Sequence, residues 1–334
     1  MELKRYIGID VGKDKFHAAC EVEKSIGKVK IKKHIFPNST KGFEEFRDWA
    51  NRNLKEEQRG HFIMEATGNY HEALATYLHD NGEIVYVENP ARVNAFGKST
   101  GVRTKTDEKD SVILIQFGKA FDLIPWSPPP LEYRVLLQYH RAIDMRNKER
   151  TAIINRINAL STSPETPQAL LEEEKSLLIR IEDSIEKMKE EIRKHLKSNP
   201  ELDKEVKLVE SIDGIGWLTA VLLVGTMAGG SRFKSAKEAA SYLGISVREC
   251  KSGKSIHGKS RLSKEGPAEV RKALYWPAVT ACRYNPDVEA LYIRLLERGK
   301  AKMVAIGAAM RKLVHITFGV LKHKKEYEPQ VSIT

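Results

Sequence analysis

Three cysteines in 334 residues, Cys20, Cys250 and Cys282, are scattered, odd in number and never paired as CxxC, which argues against both a disulfide framework and a zinc site. A reducing cytoplasm is the natural setting. Long apolar runs are scarce too. The opening MELKRYIGID has no signal-type stretch, and the longest apolar run, around LTAVLLVGTMA, is too short to span a bilayer, so a soluble protein with no membrane partner is expected. The basic excess sits in one place: residues 231–334 hold 21 Lys and Arg against 9 Asp and Glu, enough to account for the whole net charge of +11. A charge serving solubility alone would not be so segregated. The basic third reads as a surface for a polyanion, most simply nucleic acid, with a solvated lysine-rich face as the bland alternative.

A chain of this length can bury two or three cores. The first 125 residues alternate: YIGIDVG and FHAACEVE form a hairpin, GFEEFRDWANRNL a helix, HFIMEAT a strand, YHEALATYLHDNG a helix and EIVYVENP a strand. That order implies an α/β domain whose strand ends collect polar groups. PWSPPP then breaks the chain, and residues 126–205 read as a helical, coiled-coil linker in which Leu178, Ile181, Ile185, Met188 and Ile192 keep the three-four spacing of a paired helix. His195 continues that seam as a packing residue. Residues 206–334 form a third, mostly α-helical domain. Its VESIDGIGWLTAVLLVG places Gly214 and Gly216 between two apolar segments, the pattern of a helix-hairpin-helix whose turn offers backbone N–H groups to a phosphate; an ordinary helical hairpin is the alternative.

Four acids stand at element ends. Asp10 closes the first apolar run, Glu65 closes FIME, and Asp107 and Asp110 in KTDEKD share one face at a helix start. A half-buried carboxylate at a strand tip needs a hydrogen-bonding partner or a metal. Each alone reads as a cap or a surface charge. Together they are the oxygen donors that two Mg²⁺ ions would need for phosphoryl transfer, with Mn²⁺ able to substitute.

These stretches, with GIDVGKDKF, MEATGNYHEALATYL, VENPARVNAFGKSTGVRTKTDEKD and SGKSIHGKSRLSKEGPAEVRKALY, resemble the DEDD transposases of bacterial insertion sequences, the insertion-sequence 110 family. The resemblance covers nearly the whole chain. It implies a RuvC-like (RNase H-like) N-terminal domain with Asp10, Glu65, Asp107 and Asp110 as its metal-binding tetrad. It also implies Ser252 as a nucleophile supplied by a partner subunit, a dimer or tetramer, and donor and target DNA chosen through an element-encoded non-coding RNA. Lys251, Lys254, Lys259 and Arg261 would stabilise an alkoxide beside a scissile phosphate. Apart from the resemblance, Ser246, Ser255, Ser260 and Ser263 compete with Ser252. Gly12 stands where many relatives carry a small hydroxyl residue. The function expected is metal-dependent DNA strand cleavage and exchange. The rivals are a RuvC-like endonuclease hydrolysing junctions, a non-catalytic helix-hairpin-helix DNA-binding protein and, from IGIDVG, an ATP-dependent sugar-kinase-like enzyme. The last leaves KTDEKD and the basic third without a role.

Overall fold

The computed structural model describes residues 4–25, 28–54, 59–66, 68–100, 107–252 and 256–330, and these divide into two compact units, Met1–Pro128 and Pro129–Thr334. In the first unit β1 (Arg5–Val11), β2 (Lys15–Ser25) and β3 (Lys28–Pro37) form an antiparallel meander, followed by α1 (Thr40–Asn53), β4 (Gly60–Glu65), α2 (Glu72–Asp80), β5 (Ile84–Glu88), α3 (Pro90–Ser99) and α4 (Asp107–Ala120). The five strands make one mixed sheet in the order β3-β2-β1-β4-β5, with β4 and β5 parallel to β1. Sequence patterning places four of these strands. It passes over β3, whose lysines at 28, 30, 32 and 33 obscure the alternation; lysines are also what a sheet edge carries against stray pairing.

Residue parity assigns the two faces of the sheet. Ile7, Ile9, Val11, Phe62, Met64 and Val85 point to one side and bury Phe43, Phe46 and Ala50 of α1 with Leu74, Ala75 and Leu78 of α2. Tyr6, Ile63 and Tyr86 point to the other, where Val93 of α3 and Leu114, Ile115 and Phe117 of α4 cover them. β4 is covered on both faces, so it reads as an unbroken apolar run.

The second unit opens with two long helices, α5 (Leu131–Thr162) and α6 (Gln168–Lys197), folded back as an antiparallel hairpin. Arg146 Nε donates to Ser184 Oγ at 2.6 Å, Arg150 Nε to Glu182 Oε1 at 2.7 Å, and Arg156 grips both oxygens of Glu174 at 2.9 Å. The seam read from the sequence is real, with Ile185 and Ile192 buried, and the helix it meets is α5 of the same chain. His195 Nε2 donates to the Glu132 carbonyl at 2.9 Å, a packing role as expected.

Beyond them come α7 (Pro200–Glu210), α8 (Trp217–Met227), α9 (Ala236–Tyr242), β6 (Val247–Ser252), β7 (Ile256–Leu262), α10 (Ala268–Tyr284), α11 (Pro286–Glu297) and α12 (Lys302–His323). The β6–β7 hairpin interrupts an otherwise helical unit and was not legible, because KSGKSIHGKSR has almost no apolar residues to alternate. α12 corrects the estimate of apolar runs: by length and composition it could cross a membrane. Here it packs against α7, α9, α10 and α11, with Ala305, Leu313, Val314 and Leu321 among its buried residues, as the core helix of this unit.

One buried acid sets a pH dependence. Glu205 on α7 is almost fully covered, accepts a 2.9 Å hydrogen bond from Tyr133 Oη, and faces Gly229, where the backbone turns left-handed at φ +62°. Burial raises its pKa, with the tyrosine bond pulling partly back. The native state therefore holds that proton more tightly than the unfolded chain. Stability contributed by the protonated form is present below the ordinary glutamate pKa and is lost as pH rises through the folded value. Glu205→Gln keeps an acceptor for Tyr133 and removes the charge. It is expected to gain stability relative to wild type as pH rises from 4.5 to 7, read by thermal unfolding; a pH-independent difference would remove Glu205 as the source.

Candidate active site

Adjacent strands set a row of polar side chains across one face of the first sheet. Asp10 pairs with His17, His17 with Ile35, and Glu65 with Glu88, while the parallel register Ile9 to Met64 sets Asp10 beside Glu65. The polar row runs His17, Asp10, Glu65, Glu88, with Ile35 beside His17, at the carboxyl ends of β1, β4 and β5. Asp10 and Glu65 are half-buried.

α4 reaches this face by an unusually close approach. A Cβ built on Gly8 would lie 1.9 Å from the Ser111 carbonyl oxygen, so only glycine admits the helix at that height. Further along, Gly118 lies against the Tyr6 ring. Gly8 meeting Ser111 and Tyr6 meeting Gly118 means that α4 runs antiparallel to β1, and its N-terminus therefore points to the strand end that carries Asp10. Half-buried Asp110 and the first residue, Asp107, belong to that N-terminal turn, where the helix dipole favours carboxylates. The Asp107 side chain lies outside the described residues. Thus Asp10, Glu65 and Asp110 share one face and one end of the unit.

Two residues of this row escaped the sequence reading. Glu88 is buried; desolvation raises its pKa while Arg92, whose Nη1 lies 2.8 Å from Glu88 Oε2, draws it down. Its signal was a strand running into Asn89, which caps α3 by accepting from the Ala91 N–H at 2.8 Å. His17 looked like one more residue of an alternating strand, and only pairing with β1 shows that it faces Asp10. A cavity of about 330 Å³ lined by His17, Lys33, Ile35 and Ser111 adjoins the row. Another, of about 580 Å³, lies against the opposite face of β3 and holds none of the four acids.

The donor set is chemically right for a hard divalent cation, being carboxylate oxygens without thiolate. Among the described residues no three acid, histidine or cysteine side chains converge closely enough to hold one. Of the described thiols, Cys20 and Cys282 are buried and unbridged, and burial pushes both up to about 11.

In the second unit Ser252 is the last residue of β6 and pairs with Ile256, with Lys251 opposite His257 one step back. Residues 253–255, which include Lys254 and Ser255, lie outside the described residues, as do the side chains of Lys251, Ser252, Lys259 and Ser260. Ser246 and Ser263 sit at the root of the hairpin, joined by a 2.8 Å bond from the Ser263 N–H to the Ser246 carbonyl. Arg261 is exposed and stands directly opposite Arg248, a third residue that the sequence reading missed. Like charges face to face on a hairpin are unfavourable without an anion between or above them, and the acid paired with Arg248, Glu265, is 3.9 Å away.

Gly214 and Gly216 lie in the turn between α7 and α8. Gly214 has φ +100°, and a Cβ there would come within 2.9 Å of Pro277 and Ala281 on α10, so this glycine packs the turn onto that helix. Gly216 caps the N-terminus of α8 and has open space where its Cβ would be.

The chain thus sets carboxylates at the carboxyl ends of a mixed sheet in its first unit and a basic excess in its second. The family comparisons specify the class. Residues 7–162 match the DEDD transposase model of IS110 elements, and residues 206–293 match the transposase model of the IS116/IS110/IS902 family. The pilin gene-inverting proteins of Moraxella bovis and Moraxella lacunata are each 32% identical over 336 residues, covering 98% of this chain and 99% of theirs. An insertion element IS110 protein of Streptomyces coelicolor is 28% identical over 124 residues, 37% of this chain and 30% of its own. The chain belongs to the IS110 family of transposases and is a DNA recombinase of that type.

The Gly8 contact gives a direct test. Gly8→Ala must push α4 off β1 and should cost about 1–3 kcal/mol of stability together with strand-cleavage activity. Gly319→Ala, in α12 with nothing within 4 Å of the added Cβ, should leave activity unchanged and stability level or slightly higher. Equal unfolding midpoints for the two variants would refute the close approach.

Proposed function

We propose that this recombinase cuts and rejoins DNA strands by metal-dependent phosphoryl transfer at Asp10, Glu65, Asp107 and Asp110. The observation that carries the reading is the antiparallel run of α4 along β1, which brings the N-terminal turn of α4 to the strand end of Asp10 and Glu65. The strand order β3-β2-β1-β4-β5, with an antiparallel meander followed by parallel strands, supports a RuvC-like (RNase H-like) unit over residues 1–125. The helical segment 126–205 and the basic segment 206–334 are its companions.

Bound by these carboxylates, two Mg²⁺ ions, or Mn²⁺ in their place, would polarise the scissile phosphate and favour the ionised form of the attacking hydroxyl. The carboxylates would hold and orient the cations at the strand ends, and α4 would keep Asp107 and Asp110 aligned with them. Ser252, at the tip of a hairpin whose strands carry Lys251, Lys259, Arg248 and Arg261, is the nucleophile in this reading. Its Oγ forms a phosphodiester as the DNA 3′ or 5′ oxygen leaves, conserving a bond for rejoining. Placement favours it over Ser246 and Ser263, which lie at the hairpin root. The N-terminus of α8 at Gly216 and the residues Lys251, Lys254, Lys259 and Arg261 would contact phosphates. A partner subunit of a dimer or tetramer supplying Ser252, an element-encoded RNA selecting donor and target DNA, and a cytoplasmic site of action complete the reading.

The test has two arms. Asp10→Asn, Glu65→Gln, Asp107→Asn and Asp110→Asn should each abolish cleavage of a target duplex while leaving the fold and DNA binding intact by circular dichroism and gel shift; full activity in any two would refute the cluster. Ser252→Ala should abolish cleavage without loss of nucleic-acid binding, and mass spectrometry of wild type trapped on a nicked substrate should find a nucleotide on the Ser252 peptide. Efficient cleavage by Ser252→Ala would instead assign the chain to hydrolysis by water.

A further inference from the structure

We propose that the exposed face of α10 around Trp276 is a stacking platform for unpaired nucleobases. The proposal rests on the recombinase reading above and adds a contact that the acids and Ser252 do not supply. Trp276 is 70% exposed, whereas Trp49, Trp126 and Trp217 are partly covered, and Tyr284 near the end of the same helix is 68% exposed. Helical spacing sets Lys272, Trp276, Thr280 and Arg283 on one face, with Tyr284 at its flank. Tyr275 braces the indole edge-on, ring centroids 5.3 Å apart, and its hydroxyl lies 4.0 Å from Met303 Sδ. The start of α12, with Lys302 and exposed Met303 and Val304, therefore adjoins Tyr275, the ring that braces the indole.

Charge decides the occupant. The one acid on the stripe, Glu269 in the first turn of α10, is paired with Arg141 at 3.6 Å, and Lys272 (Nζ 2.9 Å from Asp144 Oδ1) is paired as well, so Arg283 and Lys302 carry the unbalanced charge beside Trp276 within the basic third of the chain. In a two-fold interface the same patch would face itself, bringing cations against cations. A polynucleotide instead offers phosphates to the cations and π-faces to the indole. Duplex DNA keeps its bases stacked internally, so the platform fits unpaired segments, which strand exchange creates and folded RNA also exposes.

Full-length protein freed of nucleic acid, with Trp276→Ala and Trp276→Phe beside wild type, would be titrated with oligodeoxythymidylate, oligouridylate and a duplex. Trp276→Ala should lose at least about fivefold in affinity for the single strands, and Trp276→Phe, which keeps a ring to stack, should lose far less. Duplex affinity should stay within about twofold. The oligonucleotide that responds identifies the source as DNA or RNA, and quenching of wild-type tryptophan fluorescence should shrink in both variants. Unchanged single-strand affinity in Trp276→Ala would overturn the platform. Should its mass by light scattering fall at the same time, the patch is a protein interface. No cleavage is read, so failure here is distinct from failure of the acid and Ser252 variants.

Discussion

The contact between the backbone of Gly8 and the carbonyl of Ser111 is the constraint on which the acidic site depends. A side chain at position 8 would hold α4 away from the sheet, and a helix only an ångström or two higher would carry Asp107 and Asp110 off with it. The approach is held by burial further along, where Leu114, Ile115 and Phe117 cover Tyr6, Ile63 and Tyr86. An apolar patch at one end of α4 thereby fixes the position of carboxylates at the other. Rigid elements carry the acids, and no loop has to be ordered to bring Asp10 and Glu65 side by side.

The carboxylate row is electrostatically expensive, and its surroundings show how that is met. Glu88 is answered by Arg92, the N-terminus of α4 turns the positive end of its dipole toward the Asp10 end, and His17 faces Asp10 across the β1–β2 ladder. The second unit has the opposite sign. Its hairpin sets Arg248 against Arg261 below the end that bears Ser252, and its surface carries nearly every unbalanced cation of the chain. A local carboxylate row in one unit and a basic excess in the other are the charge pattern on which the proposed chemistry rests.

Alternation and helical period made most of the first unit readable: β1, β2, β4, β5, α1 and α2 all bury an apolar stripe, and such stripes show in a single sequence. The four acids were legible for a related reason, since each follows or opens an apolar run. β3 and the β6–β7 hairpin were not, because the lysines of β3 and the nearly apolar-free KSGKSIHGKSR leave no hydrophobic pattern. The α5–α6 seam was legible as a seam, but periodicity carries no information about which helix fills it.

The sequence by itself determined which residues are carboxylate, cationic or apolar, where the charge sits, and which segments become strands and helices, because these follow from local side-chain chemistry and period. Only the tertiary structure decided that Asp10 neighbours Glu65 and faces His17, that Glu88 joins their row, and that α4 runs back along β1. It also decided that Gly214 packs a turn onto α10 and that Arg248 meets Arg261. Each of these depends on register or on the direction in which one element crosses another, and both are set by long-range packing between residues far apart in the chain.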